Sequence, residues 1–507
     1  MRVRLLHEDR DLDLQAGLPP QADDLIRDLE LGMLVEAMAA GDPFLAEVAR
    51  RVLLTGVADP AAIGYRQQVL ADCLAHPQLV RDMYGIAVDA LTTRRKVHSW
   101  LVRDRPEATL GWAVQMMQLL AGNLRQLRQL ADRHADRFTS QGFTRLLAEL
   151  ADQLDDAYLA TVDAHLEQLR LRRGVLLSAG LGPGNRRAKL RLHRLPPRGW
   201  RERLPGRTRG WSFQIPDRDE AGHQALAELR NHSLTDVAEA LAGAVEHVLG
   251  YFTVLRAELG FYLGCLNLHQ QLTRIGLPTC LPEPLPTDPP TREASGLYEP
   301  CLALHLNAPV VGNDLAAEHK TLVMVTGANQ GGKSTFLRAA GVAQLMMQAG
   351  MFVPAESYRA SVHTGVFTHF KREEDPTMTR GKLDEELARM SQLVDRLTPG
   401  GLLLCNESFA STNEQEGSEI ARQLVDALTG TGVTVYYVTH LYELADNLHR
   451  RYTDTALFLR AQRQPDGTRT FRIVPGPPEP TSHGEDSYRR ILATAEQPEP
   501  LAPAAVD

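Results

Sequence analysis

A chain of 507 residues is too long for one ordinary hydrophobic core and implies roughly two to four domains. With 43% hydrophobic, 23% charged and only 6% aromatic residues it reads as globular with a helical lean, which excludes fibrous and disordered classes. The net charge of −8 excludes nucleic-acid binding through overall charge, so any such surface has to be a local patch. The five cysteines, Cys73, Cys265, Cys280, Cys301 and Cys405, form no CxxC pair, so neither a zinc site nor a disulfide framework is predicted. Met1 to Arg10 is charged and lacks an apolar signal core, and no run reaches the roughly 18 apolar residues of a membrane span. The expectation is a cytoplasmic protein with no membrane partner.

Residues 1–170 read as helix after helix. Leu25, Leu29, Leu31 and Leu34 recur at two-, three- and four-residue steps, and Leu119, Leu120, Leu124, Leu127 and Leu130 do so among arginines. Breaks fall at Gly41-Asp42-Pro43 and Asp59-Pro60. Residues 171–219 change character: Gly, Pro and Arg dominate, and the alternation of Lys189 to His193 predicts short strands. Arg186, Arg187, Lys189, Arg191 and Arg194 make this segment basic against an acidic whole, with Trp200 and Trp211 flanking its densest part. Such residues suit DNA phosphate contacts and base stacking. A solvated insertion whose tryptophans pack on the helices is the alternative. Residues 220–290 hold a further helical stretch, Glu220 to Gly276, and a Pro-rich linker, Leu281 to Pro290.

From 291 to 495 apolar strand-like runs (Thr321 to Thr326, Leu402 to Cys405, Val433 to Val438) alternate with helical stretches, which predicts an α/β domain with a mainly parallel sheet. The Pro/Ala-rich tail, 496–507, is expected to be disordered. Within the α/β region Gly327-Ala328-Asn329-Gln330-Gly331-Gly332-Lys333-Ser334 fits GxxxxGK(S/T), and Thr335 follows at the start of a helix predicted to reach Gly350. A strand before and a helix after are the context in which backbone N–H groups cradle phosphates, so ATP binding is expected. Lys333 would neutralise the β/γ-phosphates and Ser334 would ligate Mg²⁺. At the end of the next strand Glu407 is placed to polarise an attacking water. Position 406, where an Asp usually serves the metal, is Asn. A unit charge pair at roughly 4 Å and an effective dielectric near 20 is worth about 4 kcal/mol before solvent reduces it, so Asn406 implies weaker Mg²⁺ retention. His440, just beyond the third strand, is a candidate sensor of the γ-phosphate; its alternative is a structural histidine.

Thr326 to Thr335 resembles the TGPNMGGKST loop of the MutS mismatch-repair ATPases, whose Asn-x-Gly-Gly interior generic P-loops lack. Met351 to Ala355 resembles that family's VPA turn, and Gly381 to Leu387 is similar to its STFMxEM segment. The spacing from Glu386 to Asn406-Glu407 also matches. Asn406 to Gly417 stands where the family has DEIGRGTSTYDG, and Val438 to Leu444 resembles ATH-x-x-EL. The resemblance runs from about residue 300 to 492. It implies a P-loop ATPase domain of MutS type with a mainly parallel sheet, preceded by helical core, lever and clamp-like regions with a small basic β-like insertion. It also implies a homodimer formed through the ATPase domains, with the loop Ser411 to Asn413 approaching the partner's nucleotide. Double-stranded DNA, mismatched or branched, is the implied partner. No Phe is followed two residues later by Glu, so the Phe-x-Glu mismatch-reading motif is absent and a short form without that domain is expected. The family's Gly-Arg-Gly is here Phe409-Ala410-Ser411. A binder of branched DNA outside repair remains an alternative. So does a DNA-independent ABC-type ATPase, against which the missing LSGGQ-type signature argues.

Overall fold

The computed structural model describes residues 1–96, 105–172, 174–181, 187–194, 213–372, 381–464 and 468–479. In chain order the first helices are α1 (Ala22–Asp28), α2 (Leu31–Ala39), α3 (Pro43–Leu54), α4 (Pro60–Ala75), α5 (Pro77–Lys96), α6 (Pro106–His134), α7 (Gln141–Gln153) and α8 (Asp156–Leu169). A hairpin, β1 (Leu176–Leu181) and β2 (Arg187–His193), precedes the long α9 (Glu220–Ile275). Then come β3 (Glu283–Leu285), β4 (Thr291–Leu297), α10 (Pro300–Leu306), β5 (Asn313–Glu318), β6 (Leu322–Gly327), α11 (Lys333–Gln348), β7 (Ser357–Ser361) and β8 (Val366–Phe370). The chain continues with α12 (Lys382–Val394), β9 (Leu402–Asn406), α13 (Glu414–Gly430), β10 (Thr434–Val438), α14 (Tyr442–Arg451), β11 (Ala456–Arg463) and β12 (Arg469–Pro475). No helix among the described residues is long and apolar enough to cross a membrane.

Two compact units result. The first takes Met1–Leu12 and His76–Leu259, the second Asp13–Ala75 and Gly260–Asp507. In the first unit Leu110 and Val114 of α6 meet Leu234 and Ala238 of α9, and Leu192 of β2 packs against this cluster. Its neighbours Arg191 and His193 are exposed, the alternation expected of a strand with one covered face. The helices start where local chemistry satisfies their first N–H groups: Ser140 accepts from Phe143 N and Asp155 from Tyr158 N.

The second unit is built on a six-stranded sheet in the order β12-β11-β6-β10-β9-β8. Every neighbouring pair is parallel except β11–β12. The central strands β6, β9 and β10 are unbroken apolar runs because both faces are covered. On one face Leu403, Cys405, Val435 and Tyr437 pack with Met390, Val425 and Leu444 from α12, α13 and α14. α11 begins at Lys333, two residues before the predicted start, because Gly332 takes φ +91° and turns the chain directly into the helix. A second sheet, β3-β7-β4-β5, includes β3 from the stretch predicted to be a linker. Its short strand pairs in parallel with β7, Glu283 opposite Arg359.

Candidate functional site

Three parallel strands end side by side, and the residues just beyond them form the site. Loops at the carboxyl ends of such strands are where α/β sheets present ligand-binding groups. β6 runs into the Gly327–Ser334 loop, β9 into Asn406 and Glu407, and β10 into Thr439 and His440. Thr439 N donates to Val325 O, and Glu407 N donates to Val438 O, so the three ends are tied together by backbone.

The loop closes on its own lysine. Lys333 Nζ is buried and donates to Gly327 O at 2.9 Å, Ala328 O at 3.1 Å and Asn329 Oδ1 at 3.4 Å. Burial pushes the ammonium below its ordinary pKa, the nearby Glu407 carboxylate opposes this, and Arg469 adds to the lowering. Glycine is required in the loop for space. A Cβ on Gly331 would lie 2.6 Å from the Ala461 side chain and 2.8 Å from Ala328 O. Ser334 Oγ donates to Asn406 Oδ1 at 2.9 Å, bringing the predicted metal ligands of β9 and α11 together. Hydroxyl and amide oxygens of this kind suit a hard cation that keeps most of its ligands from phosphate and water, as Mg²⁺ does. Among the described residues no group of three or more His, Cys, Asp or Glu could hold a metal by itself.

Glu407 and His440 face each other with Oε1 3.7 Å from Nδ1. The His440 ring is the largest influence lowering the Glu407 carboxyl below its ordinary value; burial opposes it, and Lys333 and Lys371 add to the lowering. The carboxylate is therefore ionised at neutral pH. Its backbone is held at φ +55°, and two residues later Phe409 stands at φ +61°. Each such left-handed residue with a Cβ costs roughly 1–2 kcal/mol, so the surroundings must enforce this turn.

Beside the loop lies a cavity of about 610 Å³ lined by Leu302, Val310, Val311, Gln330, Thr335 and Phe471, among others. Its walls are mainly apolar, with Glu299 and Asn313 among them, and Gln330 and Gly332 of the Gly-rich loop line one side. Phe471, half-exposed and at a left-handed φ of +58° in β12, contributes to its wall. Sequence reasoning missed this feature, because Val310, Gln330 and Phe471 belong to distant segments. It also missed Lys371, His369 and Ser408 near Glu407. Asn413, in the loop that follows, caps α13 by accepting from Glu416 N at 2.8 Å.

Of the basic residues, Arg191 and Arg194 are exposed. Arg187 and Lys189 lie on β2, but their side chains are outside the described residues, as are Arg186, Trp200 and Trp211 altogether.

Two family models match the chain: the MutS2 N-terminal domain over residues 58–275 and MutS domain V over residues 323–486. The DNA mismatch repair protein MutS of Chloroflexus aurantiacus is 31% identical over 165 residues, 32% of this chain and 17% of that protein. The Thermus thermophilus protein of the same name is 31% identical over 169 residues, covering 33% and 20%. That of Thermotoga neapolitana is 30% identical over 181 residues, covering 35% and 22%. The chain thus spans about a fifth of the length of the curated relatives it matches.

Proposed function

The chain belongs to the MutS family, and on that premise we propose that it is a DNA-associated ATPase that binds ATP with Mg²⁺ and hydrolyses it to ADP and phosphate. The observation that carries the reading is the convergence of Lys333, Ser334, Asn406, Glu407 and His440 at three adjacent strand ends. Backbone N–H groups of Gly327 to Thr335 cradle the phosphates at the start of α11. Lys333 supplies the positive charge, Glu407 takes the proton of the attacking water, and His440 senses the γ-phosphate. Ser334 and Asn406 would hold Mg²⁺, which would supply charge neutralisation of the phosphates. The apolar cavity seats the base, with Phe471 against its face. Phe471→Ala is expected to weaken ATP binding about tenfold, since one aromatic–base stack is worth about 1–3 kcal/mol. Titration with a fluorescent ATP analogue checks this.

Family membership favours a homodimer through the ATPase domains, with Ser411 to Asn413 reaching towards the partner's nucleotide. ATP binding and hydrolysis then switch the dimer between DNA-bound states in mismatch repair or related DNA processing. DNA contact is assigned to the basic segment, with Arg191 exposed on β2 and Arg194 exposed just after it. Changing Arg186, Arg187, Arg191 and Arg194 to Ala should weaken DNA binding and flatten the log–log salt dependence by up to about 4. An unchanged affinity with an unchanged slope would sink this assignment.

The experiment that tests the whole reading measures ATP turnover and binding with perfectly paired, mismatched and branched duplexes. DNA binding that responds to ATP is the expected result. Preference for branched over mismatched DNA would move the protein out of mismatch repair. Turnover without any DNA binding would replace the reading with a DNA-independent ATPase.

A further inference from the structure

Glu407 leaves β9 in a conformation that a residue with a Cβ resists, and so does Phe409. Where the family motif places a glycine, this chain places a phenylalanine at φ +61°. Something has to hold it there, and the neighbouring side chains form a closed circuit around residues 408 and 409. Phe409 N donates to Glu386 Oε2 at 2.8 Å. Tyr437 OH donates to Ser408 O at 2.7 Å. The Ser408 hydroxyl stands 2.8 Å from His369 O and 2.7 Å from His369 Nδ1. His369 Nε2 lies 3.2 Å from Glu386 O, which returns the circuit to its start. The Phe409 and His369 rings stack with centroids 5.7 Å apart. His369 and Ser408 are fully buried, and Phe409 and Glu386 nearly so.

The hydrogen positions follow from chemistry. A carbonyl can only accept, so Nε2 carries a proton and donates to Glu386 O. Burial pushes the His369 ring down to about 4, so at neutral pH it is neutral and Nδ1 is an acceptor. The Ser408 hydroxyl therefore donates into the pair of acceptors that His369 offers. Each of these links reaches a different element: His369 belongs to β8, Tyr437 to β10 and Glu386 to α12.

We propose that Glu386, Ser408 and His369 are positioning residues that clasp the turn after Glu407 and so fix where its carboxylate stands. The proposal rests on the reading of Glu407 as the base. It makes α12 a mechanical part of the catalytic apparatus: a shift of Glu386 relative to β8 would loosen Phe409 and let Glu407 move. A displacement of about 1 Å at such a group is enough to lower a rate by about 10²-fold.

The test compares kcat and Mg²⁺·ATP affinity in the full-length protein. Glu386→Ala should lower kcat by about 10²-fold and leave ATP affinity unchanged. Glu386→Gln, which keeps an oxygen for Phe409 N, should restore most of the rate. Ser408→Ala, which removes one hydroxyl, should lower kcat about tenfold and carries the same comparison should Glu386→Ala not fold. In single-turnover experiments on the Glu407→Gln background, Glu386→Ala should cause no further loss, because a positioning residue acts only through the group it positions. An unchanged kcat in both Glu386→Ala and Ser408→Ala, or a full further loss on the Glu407→Gln background, would overturn the clasp. Undiminished turnover in Glu407→Gln itself would instead overturn the reading of Glu407 as the base, whatever Glu386 does.

Discussion

Glu407→Gln is expected to bind ATP as tightly as the parent and to turn it over about 10²–10⁴ times more slowly, the usual contribution of a positioned base. The substitution preserves volume and an amide oxygen, and the backbone ties of this residue, its N–H to Val438 O among them, do not involve the side chain. What it removes is a group that can take a proton. The site keeps that carboxylate ionised: the His440 ring first, then Lys333 and Lys371, hold it below its ordinary value against the opposing effect of burial. A depressed carboxyl is a weak base in the free protein. The negative charge of a triphosphate arriving beside it raises its basicity at the moment it is needed. The sign of the pH dependence follows. The free protein requires the ionised carboxylate, so the acid limb of kcat/KM lies below the ordinary carboxylate range and activity does not fall through this group as pH is lowered from neutral towards that range. Phosphate-release and equilibrium-binding measurements on the same preparation decide the matter. Turnover close to that of the parent would remove Glu407 from the mechanism.

The parts of this site that could be read from sequence are those that one short segment specifies by itself. Leu322 to Gly327 is an apolar run followed by closely spaced glycines and a Lys-Ser pair, and nothing distant is needed to make it strand, loop and helix. The same holds for β9 and β10, whose continuous burial leaves an apolar run with no polar alternation. The start of α11 was displaced by two residues because Gly332 can enter the helix from φ +91°, a freedom no periodicity reveals. β3 lies in a stretch whose sequence reads as linker, because its strand character comes from a partner: Glu283 pairs with Arg359, far along the chain, and the Pro-rich stretch alone carries no sign of it. Phe409 is the clearest case of illegibility. Local preference sets a phenylalanine against the left-handed region, and the contacts that surround it there come from Glu386, His369 and Tyr437 on three other elements, which no local pattern reveals. The cavity beside the loop shares this origin, since Val310 and Phe471 meet Gln330 only after the fold has formed.

Lys333→Ala should abolish tight nucleotide binding while leaving the fold intact. In the free protein the ammonium is buried and held by three oxygen acceptors of its own loop, two of them backbone carbonyls. Its lowered pKa means that folding disfavours its charge, with desolvation the main cause and the Glu407 carboxylate compensating in part. Linkage gives the sign: a lysine whose folded pKa lies below its unfolded value detracts from stability while it is charged, and the loss disappears as pH rises past the unfolded pKa. Removing it at neutral pH therefore does not weaken the fold through electrostatics. It also leaves Glu407 facing the incoming phosphates without the cation between them. Truncating one partner of a desolvated, hydrogen-bonded charge pair costs about 2–5 kcal/mol, roughly thirty- to several-thousand-fold in affinity. Two measurements separate binding from folding. Thermal unfolding without nucleotide should give a Tm close to that of the parent, the relief of the buried charge being set against the loss of its hydrogen bonds to the loop. Addition of Mg²⁺·ATP should raise the parent's Tm, as ligand binding to the native state alone requires, and leave the variant's nearly unmoved. Equal ATP-induced shifts in parent and variant would show that the phosphates are not held at Lys333, and the loop from Gly327 to Ser334 would then need another role.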